Sequence, residues 1–185
     1  MPTHKSNSFK AFEAERERSN PMVATLASRL VDIRKRNIAE CLSDIEGSAH
    51  KLELVKTFNG IDFIDDAHAN NVNAVWLSLD NMTKPCIWIN QINDPDLITD
   101  ELKKIMSEKV KAVILQSVYN REVYVRFAET GIPIFTEMNM EDAVRQAFYA
   151  CEKNYAVLYS PGVKGPNQMT IREMGAKFQA AVAQL

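Results

Sequence analysis

Cysteine is scarce in this 185-residue chain, and its placement excludes two classes of protein. Cys41, Cys86 and Cys151 are odd in number, far apart and set in apolar or helical surroundings. That rules out a disulfide framework and a zinc site of short Cys/His spacing, and predicts buried or half-buried thiols kept reduced. Long apolar runs are missing too. No stretch approaches 18 consecutive apolar residues and the first ten residues, MPTHKSNSFK, contain no apolar leader, so the expectation is a soluble cytoplasmic protein with no membrane partner. Charge of one sign is also lacking, with 22 Lys/Arg against 24 Asp/Glu and a net charge of −2. No bulk attraction to nucleic acid follows. The eight Lys/Arg against four Asp/Glu in residues 1–36 read as a solvated helical face.

Two catalytic signatures are absent as well. A phosphate-binding loop needs Gly-x-x-x-x-Gly-Lys followed by Ser or Thr. The one lysine near two glycines is Lys164 in GVKGP, which has neither the spacing nor the hydroxyl residue. Ser160 lies outside any Gly-x-Ser-x-Gly elbow. Asp65, Asp66 and His68 offer ligand atoms, but three neighbouring groups on one loop cannot surround an ion without a partner from elsewhere. The expectation is therefore no catalytic residue, no metal and no cofactor held by this chain.

What is present is an alternating α/β pattern. The 46% apolar content is ordinary for a globular core, and the length is that of about one domain. Residues 1–46 read as a charged tail followed by a helical extension that opens at Asn20-Pro21, continues through Val23, Leu26, Leu30 and Ile33, and stops near Gly47. Residues 47–185 read as one domain. Strands are expected at Leu52–Thr57, Ile61–Ile64, Cys86–Ile89, Ala112–Leu115, Ile132–Phe135 and Ala156–Tyr159. Helices are expected at Val72–Asn81, Thr99–Glu108, Arg121–Glu129, Met140–Lys153 and Met169–Leu185. Asn59-Gly60 joins the first two strands as a hairpin, and the rest follow crossover helices and are parallel. The fold class is a Rossmann-like three-layer α/β domain with about six strands and one antiparallel edge.

In such a sheet ligands bind beyond the carboxyl ends of the strands. Four loops lie there: residues 65–71 (DDAHANN), 90–96 (NQINDPD), 116–121 (QSVYNR) and 160–168 (SPGVKGPNQ). The first is unusually polar, and Asn70 or Asn71 is placed to cap the next helix, whose N-terminus attracts anions. The second offers Gln91, Asn93 and Asp94, which hydrogen-bond but bring no positive charge. The fourth contributes Ser160 and Lys164.

The segment HKLELVKTFNGIDFIDDAHANN resembles the opening of the carboxy-terminal domain of the Mur ligases, most closely the D-glutamate-adding branch. The family's run of His-Arg-x-Glu, Asn-Gly-Val and Asp-Ser-Lys-Ala-Thr-Asn is matched at His50, Glu53, Asn59, Gly60, Asp66, Ala69 and Asn71, and departed from at His68, where a lysine is expected. SPGVKGPNQ followed by REMGAKF is similar to the family's Ser-Pro-Ala loop and Glu-x-Arg-Gly-x-x-Phe tail. The glycine-rich, lysine-bearing loop expected at residues 90–96 is not there. The resemblance covers about residues 38–185 and implies the same six-stranded architecture. It also implies a domain that positions an incoming amino acid while ATP and magnesium are handled by a central domain not contained here.

These readings converge on a free-standing, degenerate module that binds a small metabolite or cell-wall precursor fragment, or docks on a Mur-type protein, through Asp66, His68, Asn71, Asn93, Ser160 and Lys164. One alternative is the carboxy-terminal subunit of an ATP-dependent, D-glutamate-like amino-acid ligase completed by a partner chain. Another is a scaffold or regulator that forms homo-oligomers through the Asn20–Glu46 helix.

Overall fold

The computed structural model describes residues 50–164 and 169–185. The chain divides into two units between Gly47 and Ser48, and the described residues belong to the second. The tail and helix expected within residues 1–46, and the thiol of Cys41, lie outside the described residues.

The described chain runs β1 (Glu53–Phe58), β2 (Ile61–Asp65), α1 (Val72–Asn81), β3 (Cys86–Asn90), a 3-10 turn (Pro95–Leu97), α2 (Asp100–Lys109), β4 (Val110–Gln116), α3 (Arg121–Ala128), β5 (Ile134–Glu137), α4 (Met140–Ala150), β6 (Ala156–Tyr159) and α5 (Ile171–Ala183). The six strands form one sheet in the order β1-β2-β6-β3-β4-β5. Only the β1–β2 pair is antiparallel. Asn59 and Gly60 hold φ of 51° and 79°, the left-handed pair that a two-residue hairpin turn requires.

The strand order explains the layering. From β2 the crossovers advance through β3, β4 and β5, and right-handed connections place α1, α2 and α3 on one face. The connection to β6 runs back across the sheet, so α4 lies on the other face with α5. Side chains alternate accordingly. Along β3, Trp88 joins Val75, Leu79, Leu102, Met106 and Phe127 on the first face. Ile87 and Ile89 join Phe63, Val144, Tyr159 and Phe178 on the second. β3 and β6 are buried throughout, as strands covered on both faces must be.

The fold is the one expected, with element ends shifted for identifiable reasons. β1 begins at Glu53 because Leu52 has φ of 41°, outside the extended region. β5 begins at Ile134, after Pro133, which lacks a donor for the ladder. α4 ends at Ala150 with Cys151 already extended, and the left-handed Asn154 then turns the chain into β6. Cys86 is buried and Cys151 half-buried, as thiols, and burial pushes each up to about 12.

Candidate functional site

β6 lies between β2 and β3, so chain direction across the sheet reverses there and a crevice opens beyond the carboxyl ends of β2, β6 and β3. The loops leaving these strands are laced by backbone bonds. Asp66 N–H donates to Tyr159 O at 2.8 Å, Ser160 N–H to Ile89 O at 3.1 Å, Gly162 N–H to Ala69 O at 2.7 Å and Gln91 N–H to Pro161 O at 2.9 Å. Gly162 has φ of 74°, and an added Cβ would stand 2.9 Å from Ile92 Cγ1, so glycine is needed where the two loops meet. Side chains continue the lacing toward β5. The Gln91 amide bonds the Gln116 carbonyl, Gln116 Nε2 donates to Met138 O at 3.1 Å, and Asn120 Nδ2 donates to Asn93 O at 3.1 Å.

Beneath this rim is a buried polar knot centred on Asp66. Its Oδ2 accepts the hydroxyls of Ser78 at 2.5 Å and Ser160 at 2.9 Å, and its Oδ1 accepts Leu52 N–H at 3.4 Å. Asp66 is 2% exposed and Ser160 fully buried. Burial pushes the Asp66 carboxyl up to about 6, the two hydroxyls and the amide holding it back and neighbouring Asp65 adding to the rise. The Ser160 carbonyl in turn accepts Trp88 Nε1–H at 2.8 Å. Asp66 and Ser160, expected as ligand-binding groups, are here committed to one another. They fasten β2, α1 and β6 together.

The other expected site residues have different fates. Asn71 uses its Oδ1 to accept Ala74 N–H at 2.9 Å, capping α1. Its neighbour Asn70 bonds it side chain to side chain. His68 is half-buried, and its backbone N–H donates to His50 O at 3.2 Å. Asn93 and Lys164 are exposed. Among the described residues, the His68 ring and the Lys164 ammonium make no hydrogen bond or ion pair. α1 is also the one described α-helix without an acidic residue in its first turn, so its positive N-terminal pole is not offset from within. Residues 165–168 of the fourth loop lie outside the described residues.

Reading the sequence missed the partnership of His50 with Asp65. His50 Nδ1 lies 2.6 Å from Asp65 Oδ2, and because a carboxylate only accepts, the ring takes the Nδ1–H tautomer. Gln179 of α5 donates to Asp65 Oδ2 at 3.1 Å and reaches Glu53 Oε2 at 3.5 Å. The hairpin at Asn59-Gly60 carried only part of the signal, since Glu53 comes opposite Asp65 through a register shift between Leu54 and Lys56 that the turn does not announce. Two concavities of the described residues open at the opposite edge of the sheet. One of about 600 Å³ is lined by Gly60, Phe148 and Cys151, and one of about 180 Å³ by Asp62, Met82 and Lys84.

Sheet order, layering and crevice define a Rossmann-like α/β domain. No family model matches the sequence. Individual relatives do. The chain is 31% identical over its whole length to the UDP-N-acetylmuramoylalanine–D-glutamate ligase of Christiangramia forsetii, of which it spans 41%. It is 34% identical over 143 residues, 77% of the chain, to the same ligase of Bacteroides thetaiotaomicron, of which that match spans 32%. Among solved structures, the UDP-N-acetylmuramate–alanine ligase of Thermotoga maritima superposes with a TM-score of 0.52 at 12% identity, over 76% of this chain and 31% of that one. A domain assigned to a UDP-N-acetylmuramate:L-alanyl-gamma-D-glutamyl-meso-diaminopimelate ligase of Haemophilus ducreyi gives 0.50 at 15% identity, over 71% of this chain and 98% of that one. This chain is a Mur-ligase-like module, related to the carboxy-terminal part of those enzymes, and it spans well under half the length of the curated relatives. Among the described residues no helix is long and apolar enough to cross a membrane.

Proposed function

We propose that this domain recognises a small anionic ligand, an amino acid or a carboxylate-bearing fragment of a cell-wall precursor, and performs no phosphate chemistry with its own residues. The observation that carries this reading is the meeting of the α1 N-terminus with the loop bearing Lys164 at one end of the crevice. The α1 N-terminus has no acidic residue in its first turn, and the rim above it presents the His68 ring and, across the Gly162–Ala69 bond, the loop bearing Lys164. An anion there meets a helix pole, an imidazole N–H and the Lys164 ammonium. Asn93 adds a neutral hydrogen-bonding group on the adjoining loop. Asp66 and Ser160 act behind the site, holding its loops in register.

A thermal-shift screen of the purified chain against D- and L-amino acids, UDP-muramoyl precursors and ATP with magnesium tests the reading. Ligand at a hundredfold excess over its dissociation constant stabilises by about 2.7 kcal/mol. A shift with an acidic amino acid or a muramoyl precursor, reduced in Lys164→Ala, supports the site. No shift with any of them ends the small-ligand reading and moves the crevice to a protein partner.

A second reading, the carboxy-terminal part of a working ligase, is favoured by the lengths. The relatives are named as ligases over their full chains, and this chain aligns with 41% and 32% of two of them. Supplying a chain that carries an ATP-binding domain and measuring ADP release tests it. ATP turnover that depends on both chains supports the reading, and turnover equal to that of the partner alone excludes it.

A further inference from the structure

At the antiparallel edge, one residue before the Asp66 knot, metal-ligating atoms from three separate elements converge. Asp65 ends β2 and is fully buried. Glu53 opens β1 directly opposite it. His50 lies just ahead of β1 with φ of 68°, and this turn brings its ring onto Asp65. One ligand atom from each lies within 4.8 Å of the other two.

At their centre is the side-chain amide of Gln179 on α5. Its Nε2 is 3.1 Å from Asp65 Oδ2, 3.2 Å from His50 Nδ1 and 3.5 Å from Glu53 Oε2. An NH2 group held between two carboxylate oxygens stands where a cation would, and the Nδ1–H of His50 is directed at the same Asp65 oxygen. α5 approaches this closely because residue 175, one turn before Gln179, is glycine. A Cβ there would run into the His50 ring and stand 2.7 Å from Asp65 Oδ2. The surroundings call for positive charge. Asp65 and Asp66 are consecutive carboxylates, 0% and 2% exposed, that accept from hydroxyls, amides and the His50 imidazole among the described residues. A bound cation would offset part of the cost of burying two carboxylates side by side.

We propose that His50 Nδ1, Glu53, Asp65 and the Gln179 amide oxygen form a binding site for a divalent ion of the zinc or manganese class. One imidazole and hard oxygen donors suit those ions. The partner from elsewhere that residues 65–68 lack in sequence is supplied by the hairpin and α5, and it reaches Asp65 alone. Three small movements complete the site. The His50 ring exchanges its Nδ1–H tautomer for the Nε2–H one through solvent, which frees Nδ1 as a ligand, and the 2.6 Å hydrogen bond opens to the wider spacing of two ligands each about 2.1 Å from one ion. The exposed Glu53 side chain closes inward. The Gln179 amide turns over to present oxygen in place of nitrogen. The bound ion would clasp β1, β2 and α5 at the border of the crevice.

Titration calorimetry of Zn2+ into the metal-free full chain, in a non-chelating buffer, tests this. The expected result is one equivalent bound, with affinity lowered about tenfold or more by Glu53→Gln and abolished by His50→Gln, while His68→Gln binds as the parent does. Because Glu53 is exposed, Glu53→Gln keeps its fold, and a circular-dichroism melt of the metal-free variant checks it. No stoichiometric binding by the parent overturns the proposal. So does binding that Glu53→Gln and His50→Gln leave unchanged, since the ion would then sit elsewhere, as on the cysteine thiols.

Discussion

Asp66 and Ser160 are 94 positions apart in sequence and joined by a 2.9 Å hydrogen bond, which fixes the end of β2 to the end of β6 at the point where the strand order reverses. Its acceptor is a carboxyl whose burial lifts it from 3.8 to about 6. A carboxyl raised in the folded state binds its proton more tightly folded than unfolded. Its contribution is then fully present below about pH 4 and is lost as pH rises through about 6. Two pKa units amount to about 3 kcal/mol. Asp66→Asn is uncharged at every pH and removes this slope. Urea unfolding of both proteins at pH 4.5 and pH 7 should show the parent losing stability relative to the variant across that interval. Parallel behaviour would mean that Asp66 titrates normally.

Removing one hydroxyl from the knot tests the same network from the other side. Ser160→Ala leaves Asp66 Oδ2 with Ser78 alone, and a buried acceptor deprived of a donor costs about 1–3 kcal/mol. Because the hydroxyl favours the charged form, its loss should also push the Asp66 transition to higher pH. A stability loss of this size at pH 8 that shrinks at pH 4.5 is the expected pattern. A loss equal at both values would assign the effect to the small cavity instead.

Asn71 gives a smaller and more local prediction. Its side chain accepts Ala74 N–H at the start of α1, and replacing such a cap by alanine costs about 1 kcal/mol. Asn71→Ala should lower the unfolding free energy by that amount, read from urea denaturation. Asn71→Asp should restore it and also weaken any anion bound at the α1 N-terminus, because it places a negative charge there. Equal ligand affinity in Asn71→Asp and the parent would remove the helix pole from the proposed site.

The layered fold was legible because hydrophobic period and turn chemistry agree along residues 52–185. Asn59-Gly60 announces the hairpin, and the runs around Trp88 and Leu158 are apolar on both faces, as buried parallel strands are. The carboxyl-edge loops were legible for the same reason. What each polar group does there was not. The bonds of Asp66 to its two hydroxyl partners are invisible in sequence, since these stand 12 and 94 positions away and only the strand order brings them together. The bond of Gln179 to Asp65 is less legible still, because it spans 114 positions and depends on a glycine one helical turn from the amide.

That glycine sets two physical effects against each other. Gly175 lies inside α5 with no left-handed φ, so helix propensity alone predicts that Gly175→Ala stabilises by about 1 kcal/mol. The added Cβ, however, would run into the His50 ring and stand 2.7 Å from Asp65 Oδ2, and the Asp65 backbone does not yield easily. Asp65 ends a buried strand, and its other oxygen accepts Ala67 N–H at 3.0 Å. Forcing extra volume into such a place costs about 1–3 kcal/mol, and disturbing the hydrogen-bonded Asp65 adds to that. The net expectation is a loss of about 2 kcal/mol in chemical denaturation. Gly175→Ala combined with His50→Ala, which clears the ring from its path, should recover part of that loss. A stabilised Gly175→Ala would mean that α5 stands farther from the His50–Asp65 pair, and it would separate Gln179 from both.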